Sequence, residues 1–349
     1  TISNYGAIGG IFATPMLRAL RSARPQASIA ALGVSRAEEI LRGNPCLQTF
    51  MPCDPSSGPD WRWIGSGLVR RLRALQFETA IILRRSLTRS LLLCLAGIPV
   101  RIGFSNRKSG WLLTHRVPSP DSGAHKAHTY LSLLGPLGVS VDPAPTAGPP
   151  YEYYPATDER EHAARLLRDR GVAKNRPMIL LHPGANWFHK RWATERFARL
   201  ADRLGQDGTV VITGGPEDRL VAHVMANTMT TQPVILAGQT TLRQLAACLE
   251  QADVVVSNDT GVLHIASALR RPVVALYGPT SPALTGPLGD PAKTVLIHHD
   301  TCCPSLPCFN PSHPGYPGMD AISVDEVYEA VRSLLSQSLN HSITQSPSS

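Results

Sequence analysis

Short runs of consecutive apolar residues alternate along this chain with longer stretches in which apolar residues recur every three or four positions. The first pattern predicts strands buried on both faces, the second amphipathic helices. The alternation is most regular in the C-terminal half. Apolar runs at 178–182, 209–213, 234–237, 253–257 and 273–277 predict strands, and periodic stretches at 158–170, 194–204, 217–229, 242–250, 262–269 and 324–335 predict the intervening helices. In the N-terminal half, strands are predicted at 28–32, 47–51, 79–83 and 100–104, and helices at 11–21, 35–41 with Ser35 as its cap, 64–75 and 86–96. Residues 2–5 read as the end of a strand, and Gly6-Ala7-Ile8-Gly9-Gly10 as a glycine-rich turn.

Strands alternating with helices build parallel sheets through right-handed crossovers, so the fold class is α/β. Proline and glycine crowd residues 139–155, a stiff linker between two such sheets. The expected domains are 1–145 and 146–335, followed by a serine-rich tail, 336–349, expected to be disordered. Ligands of open parallel sheets gather at the carboxyl ends of the strands.

The 349 residues and 43% apolar content suit two domains with cores of ordinary size. No apolar run approaches the roughly 18 residues of a spanning helix, and no export signal is visible, so a cytoplasmic protein is expected. Seven scattered cysteines argue against a disulfide framework and for a reducing compartment. Cys302, Cys303 and Cys308, near His298, His299 and His313, form the only metal-like cluster. A zinc site usually takes four ligands with Cys-x-x-Cys-like spacing, which the histidines could complete, but a loop with free thiols is the better reading, so no metal is expected. Residues 1–150 carry 17 Lys and Arg against 7 Asp and Glu, and the remainder 17 against 19. An anionic partner for the first half, such as a phosphorylated lipid at a membrane surface, fits this asymmetry, as does a merely solvated basic face. Nucleic acid is not expected, because the basic residues are not interleaved with aromatics and no nucleic-acid motif is present.

Three predicted strand ends carry candidate chemistry. Ser257-Asn258-Asp259-Thr260-Gly261 opens a helix, whose first amides lack internal partners and, with the helix dipole, favour an anion. Thr260 adds a hydroxyl, Gly261 permits close approach, and His264 lies one turn on. The plainer alternative makes Asp259 and Thr260 helix caps and His264 a surface residue. The loop 182–192 contains Asn186 and Lys190, and the lysine could neutralise a departing diphosphate. Gly214-Gly215-Pro216-Glu217-Asp218 offers carboxylates either to ribose hydroxyls or to the helix start.

The run from Ser257 to Ala268, with Pro272 to Thr280 after it, resembles the signature of glycosyltransferase family 9, the heptosyltransferases of lipopolysaccharide inner-core synthesis. Gly6-Ala7-Ile8-Gly9 with Thr14 to Leu20, Gly97 to Phe104, His125, His182-Pro183-Gly184, Lys190, Trp192 and Met319 to Ile322 resemble further parts of that family. The resemblance implies a GT-B fold, two Rossmann-like domains whose parallel sheets face across a cleft, with the last helix packing back toward the N-terminal domain. It implies an ADP-heptose donor and an inverting transfer without metal or other cofactor. Asn186, Lys190, Glu217, Asp259, Thr260, Gly261 and His264 would hold the donor, with Lys190 stabilising the leaving group. Gly9, Gly10 and Thr14 would form the acceptor-side loop, the acceptor being an anionic glycolipid met at the periphery of the inner membrane. The family usually has an aspartate, thought to be the general base, where this chain has Gly10. Glycine cannot take a proton, so a non-catalytic relative that binds sugar nucleotide or glycolipid is the alternative. An epimerase on the same fold would need acid and base carboxylates that do not stand out.

Overall fold

A computed structural model describes residues 6–54, 67–119, 123–139, 150–299 and 317–344. The chain divides into two compact units, one of residues 1–148 with 152–154, the other of residues 149–151 with 155–349. No described helix is long and apolar enough to cross a membrane.

The N-terminal unit runs α1 (Gly6–Ala23), β1 (Ala30–Gly33), α2 (Ser35–Leu41), β2 (Thr49–Pro52), α3 (Leu68–Ala74), β3 (Thr79–Ile82), α4 (Leu87–Leu95), β4 (Val100–Phe104), β5 (His115–Val117) and α5 (Lys126–Leu131). Strands β1 and β2 form one parallel pair, and β3-β4-β5 a parallel three-stranded sheet. Leu32, Met51, Leu72, Ile82, Leu92 and Ile98 share its core.

The opening glycines are helical, which corrects the expected turn. Helix α1 begins at Gly6, so Gly9, Gly10 and Thr14 lie in a helix and not in a loop. The reason is packing. A Cβ on Gly10 would lie 3.2 Å from Cβ and Cγ2 of Ile40, so the bare glycine lets α1 lie close against α2. Pro15, inside α1, cannot donate to the Ile11 carbonyl. The Thr14 hydroxyl donates to that carbonyl instead at 2.8 Å, and accepts the Glu152 amide at 3.0 Å. Thr14 is therefore fully buried and engaged within the fold. Ser35 is the first helical residue of α2 rather than its cap, which is Val34, and its hydroxyl bonds Asp54. The expected strand end at 2–5 lies outside the described residues. Strand β5, with only Val117 buried, carries no pattern that sequence reading could detect.

The C-terminal unit contains α6 (Thr157–Asp169), β6 (Met178–His182), α7 (Thr194–Asp207), β7 (Thr209–Ile212), α8 (Arg219–Thr228), β8 (Val234–Ile235), α9 (Leu242–Leu249), β9 (Val254–Asn258), α10 (Gly261–Ala268), β10 (Val273–Tyr277), α11 (Pro282–Thr285), β11 (Thr294–His298), α12 (Pro317–Ala321) and α13 (Val324–Thr344). All six strands are parallel, in the order β11-β10-β9-β6-β7-β8. The first strand, β6, sits mid-sheet, with later strands added first on one side and then on the other. The direction of winding therefore reverses between β6 and β9, the place where the strand-end loops of open parallel sheets diverge and ligands gather.

Strands β6, β9 and β10 are buried at every position, as the unbroken apolar runs require. Helix α7 places Phe197, Leu200, Ala201 and Leu204 in the core, its apolar stripe at helical spacing. Val327, Val331 and Leu334 of α13 join that same core. Helix α13 runs from Val324 to Thr344, into the expected serine-rich tail. No proline or glycine interrupts that stretch, and Ser336 donates back to the Arg332 carbonyl.

Helices α6 and α9 are clamped by a nearly buried ion pair. Arg243 donates to Oε1 of Glu159 at 2.5 Å and to Oε2 at 2.8 Å, while the same carboxylate accepts the Ala156 amide at the start of α6. Removing one partner strands the other charge away from water. Arg243→Ala is expected to destabilise the protein by about 3 kcal/mol in denaturant titration, and an Arg243→Met, Glu159→Leu pair by clearly less.

His182, at the end of β6, is buried beside Thr213 at 3.3 Å. Burial pushes its imidazole down to about 4, only partly opposed by the Glu217 carboxylate. A depressed histidine favours the fold while neutral, so its contribution is complete above the unfolded value near 6.5 and is lost as pH falls toward 4. The stability difference between wild type and His182→Gln should shrink by about 3 kcal/mol between pH 7 and pH 4, read by chemical denaturation at each pH.

Candidate functional site

Three loops leave the carboxyl ends of β6, β9 and β10, and their side chains meet on one carboxylate. Asp259 follows β9 directly, and its amide donates to the Leu276 carbonyl of β10 at 3.1 Å. That bond fixes the backbone, and the side chain meets partners from the loops after β6 and β10. Oδ2 of Asp259 accepts Nζ of Lys190 at 2.6 Å and the Thr280 hydroxyl at 2.7 Å. Nε2 of His264 lies 3.7 Å from Oδ1. The Asp259 side chain is 4% exposed and that of Lys190 is 20% exposed, so the ammonium reaches solvent while its partner does not.

Burial alone would push the Asp259 carboxyl up. The facing His264 and the Lys190 ammonium outweigh it, holding the group well below the usual carboxylate range. Asp259 is therefore a fixed anion that orients a cation, not a proton acceptor.

The N-cap of α10 is Thr260, in extended conformation, with no side-chain bond to the helix amides. Its hydroxyl lies 3.2 Å from that of Ser257. The Thr260 side chain thus leaves the leading amides of α10 uncapped, and Gly261 is half-buried at the opening. His264 is fully buried, not on the helix surface. Its ring packs in a T-shaped pair with that of Tyr151, centroids 5.8 Å apart, and its Nε2 faces Asp259.

The loop after β6 is held by Asn258. Its amide donates to the Pro183 carbonyl at 2.9 Å, and its oxygen accepts the Trp192 amide at 3.2 Å. Trp192 is buried, with its indole N–H on the Ile322 carbonyl at 3.1 Å. Between those anchors a short 3-10 turn (Phe188–Lys190) projects Lys190, and Asn186 is exposed on the same loop.

The turn after β7 resolves the two neighbouring carboxylates. Asp218 is buried and accepts the Gly215 amide at 3.0 Å, with Arg191 at 3.8 Å. It fits because Gly184 and Gly214 carry no Cβ, which would collide with it. Glu217 is exposed, free of that structural work.

Sequence reading brought together Lys190, Asp259, Thr260, Gly261 and His264, and the structure does gather these. It left Gly9, Gly10 and Thr14 in the other unit's helix α1. It missed Thr280, Asn258 and Tyr151. The first two stand in the strand-end segments already singled out, where a polar residue directly beyond a buried strand is itself a signal. Tyr151 carries none. His298 and His299 are engaged with the Gly278 carbonyl and Glu326 respectively. Cys302, Cys303, Cys308 and His313 lie outside the described residues. No cluster of three metal-ligating side chains occurs among the described residues.

A family model described as Glycosyltransferase family 9 (heptosyltransferase) matches residues 66–312. The chain is 28% identical over 293 residues to lipopolysaccharide heptosyltransferase 2 of Escherichia coli K12, covering 81% of this chain and 83% of that one. It is 31% identical over 233 residues to lipooligosaccharide heptosyltransferase 2 of Haemophilus ducreyi, covering 64% and 66%. Among solved structures, a glycosyl transferase family 9 protein from Veillonella parvula superposes with a TM-score of 0.82 at 23% identity, over 97% of this chain and 96% of that one. The E. coli ADP-heptose LPS heptosyltransferase II superposes with a TM-score of 0.76 at 25% identity, over 95% and 96%. The parallel six-stranded sheet, together with a family match across most of the sequence, establishes that this chain is a glycosyltransferase of the GT-B class, built from two Rossmann-like units, and belongs to glycosyltransferase family 9.

Proposed function

We propose that the protein transfers heptose from ADP-heptose to a lipopolysaccharide inner-core acceptor, with inversion at the anomeric carbon and without a metal ion. The observation that carries the donor side is the Lys190–Asp259–Thr280 cluster beside the open N-terminus of α10. As the glycosidic bond to the diphosphate breaks, negative charge gathers on the leaving phosphate, and a fixed cation stabilises it more than it stabilises the intact donor. Lys190 has three N–H donors and spends one on Asp259, so it can hold a phosphate oxygen without leaving its anchor. The amides of Gly261 and Val262 and the Thr260 hydroxyl meet the other oxygens. Asn186 closes the loop side, Glu217 meets the ribose, and His264 acts through Asp259. The donor names of the relatives and the basic balance of residues 1–150 support ADP-heptose and an anionic glycolipid acceptor at a membrane periphery.

Gly10 supports a second reading, a relative that binds donor or glycolipid without turnover. It packs closely on Ile40, and a side chain at this position would require Ile40 to give way.

Calorimetry with ADP tests the donor site. Lys190→Ala is expected to weaken binding roughly tenfold to a hundredfold, Thr280→Val by several-fold, and Thr280→Ser by little, since it keeps the hydroxyl. Unchanged ADP affinity in Lys190→Ala would refute the placement. Transfer of heptose to isolated inner-core acceptor separates the two readings, and its absence despite intact ADP binding favours the binder. If the missing base limits turnover, Gly10→Asp combined with Ile40→Ala, which makes room for the new side chain, should raise the transfer rate at least about tenfold over Ile40→Ala alone. An unchanged rate would show that the base lies elsewhere.

A further inference from the structure

The 42 residues from 79 to 120 contain seven Lys and Arg and no Asp or Glu. This stretch builds β3, α4, β4 and β5 of the N-terminal unit. Within it, the connection from β4 to β5 carries Arg107, Lys108 and Trp111, all exposed, and Trp111 is 68% exposed.

That exposure is imposed by the turn. Asn106 accepts the Ser109 amide at 2.8 Å and its hydroxyl at 2.9 Å on one side-chain oxygen, and donates to the Phe104 carbonyl at 3.1 Å. The Gly110 amide bonds the Asn106 carbonyl at 3.0 Å, and Arg116 grips the Gly110 carbonyl at 2.9 Å. Ser109 and Gly110 before the tryptophan, and Leu112 and Leu113 after it, are buried. The chain cannot fold Trp111 inward without pulling both leucines out of the core. Arg107 and Lys108 precede Trp111 by four and three residues on consecutive tight turns, so the three exposed side chains lie within one short connection.

A rigid tryptophan beside two exposed cations, in a stretch without acidic residues, matches the chemistry of an anionic bilayer surface. The indole is favoured at headgroup depth and the cations meet the lipid phosphates. We propose that the turn bearing Arg107, Lys108 and Trp111 docks the N-terminal unit onto an anionic lipid bilayer. This deepens the membrane side of the function proposed above, and its test does not depend on the donor site.

The full chain is mixed with vesicles of pure phosphatidylcholine or of phosphatidylcholine with about one-third phosphatidylglycerol, and the bound fraction is measured by sedimentation at several salt concentrations. Binding is expected only to the anionic vesicles and should weaken with salt. Each cation near such a surface is worth roughly fivefold, so Arg107→Ala with Lys108→Ala should reduce partition at least about tenfold, and Trp111→Ala by a similar factor. Leu220→Ala, at a side chain 74% exposed in the other unit, should bind like wild type. Brominated lipid should quench wild-type fluorescence more than that of Trp111→Phe. Equal binding to both vesicle types, no binding to either, or wild-type partition by the Arg107, Lys108 and Trp111 variants would each overturn the proposal. So would a Leu220→Ala loss as large as theirs. ADP affinity measured on the same preparations reports separately on the donor site.

Discussion

The site depends on keeping one carboxylate charged while burying it. Removed from water, Asp259 would take up a proton unless cations and donors repaid its lost hydration, and a lysine, a threonine hydroxyl and a histidine from three separate segments supply that compensation. The compensation works in both directions. The lysine that stabilises the aspartate is itself fixed in place, and under the proposed function a fixed ammonium would need little reorganisation to meet a phosphate. Asp259 needs neither to touch substrate nor to move a proton to shape the chemistry.

The parallel sheet makes that convergence possible. Because β6, β9 and β10 run the same way, their loops emerge at one edge, and the winding reverses between β6 and β9, where such loops diverge. Asn258 then ties the β6 loop to the β9 end with two bonds of one amide group. The glycines at 184 and 214 allow a second buried carboxylate, Asp218, to brace the neighbouring turn. Displacements of about an ångström would decide whether Lys190 could meet a phosphate as proposed, and these supporting groups set its position.

Much of this was legible in the sequence because it is local. A buried strand reads as an apolar run, and Asp259-Thr260-Gly261 at its end reads as the opening of a helix. The partners of Asp259 were less legible, since Thr280 reaches it from 21 residues further on, across a whole strand. Gly6 to Gly10 misled for a different reason. Glycine-rich segments suggest turns, but here the missing side chain serves a close helix contact with Ile40, which only tertiary packing reveals. His264 looked like a surface residue or a ligand by its position in the first helical turn, yet the whole of α10 beyond Gly261 is buried, and periodicity cannot separate faces in a helix with no polar side.

Trp192 joins parts of the chain that are far apart in sequence. Its amide is held by Asn258 at the end of β9, and its indole N–H by Ile322, in the segment that leads into the last helix. Val327, Val331 and Leu334 of that helix share a core with the strands that carry the site. The C-terminal helix is thus no detachable appendage. Local opening at the end of the chain would withdraw support from the loop that presents Lys190, so the two should exchange their amide hydrogens as a single cooperative foldon, and ligand bound at one should slow fraying at the other.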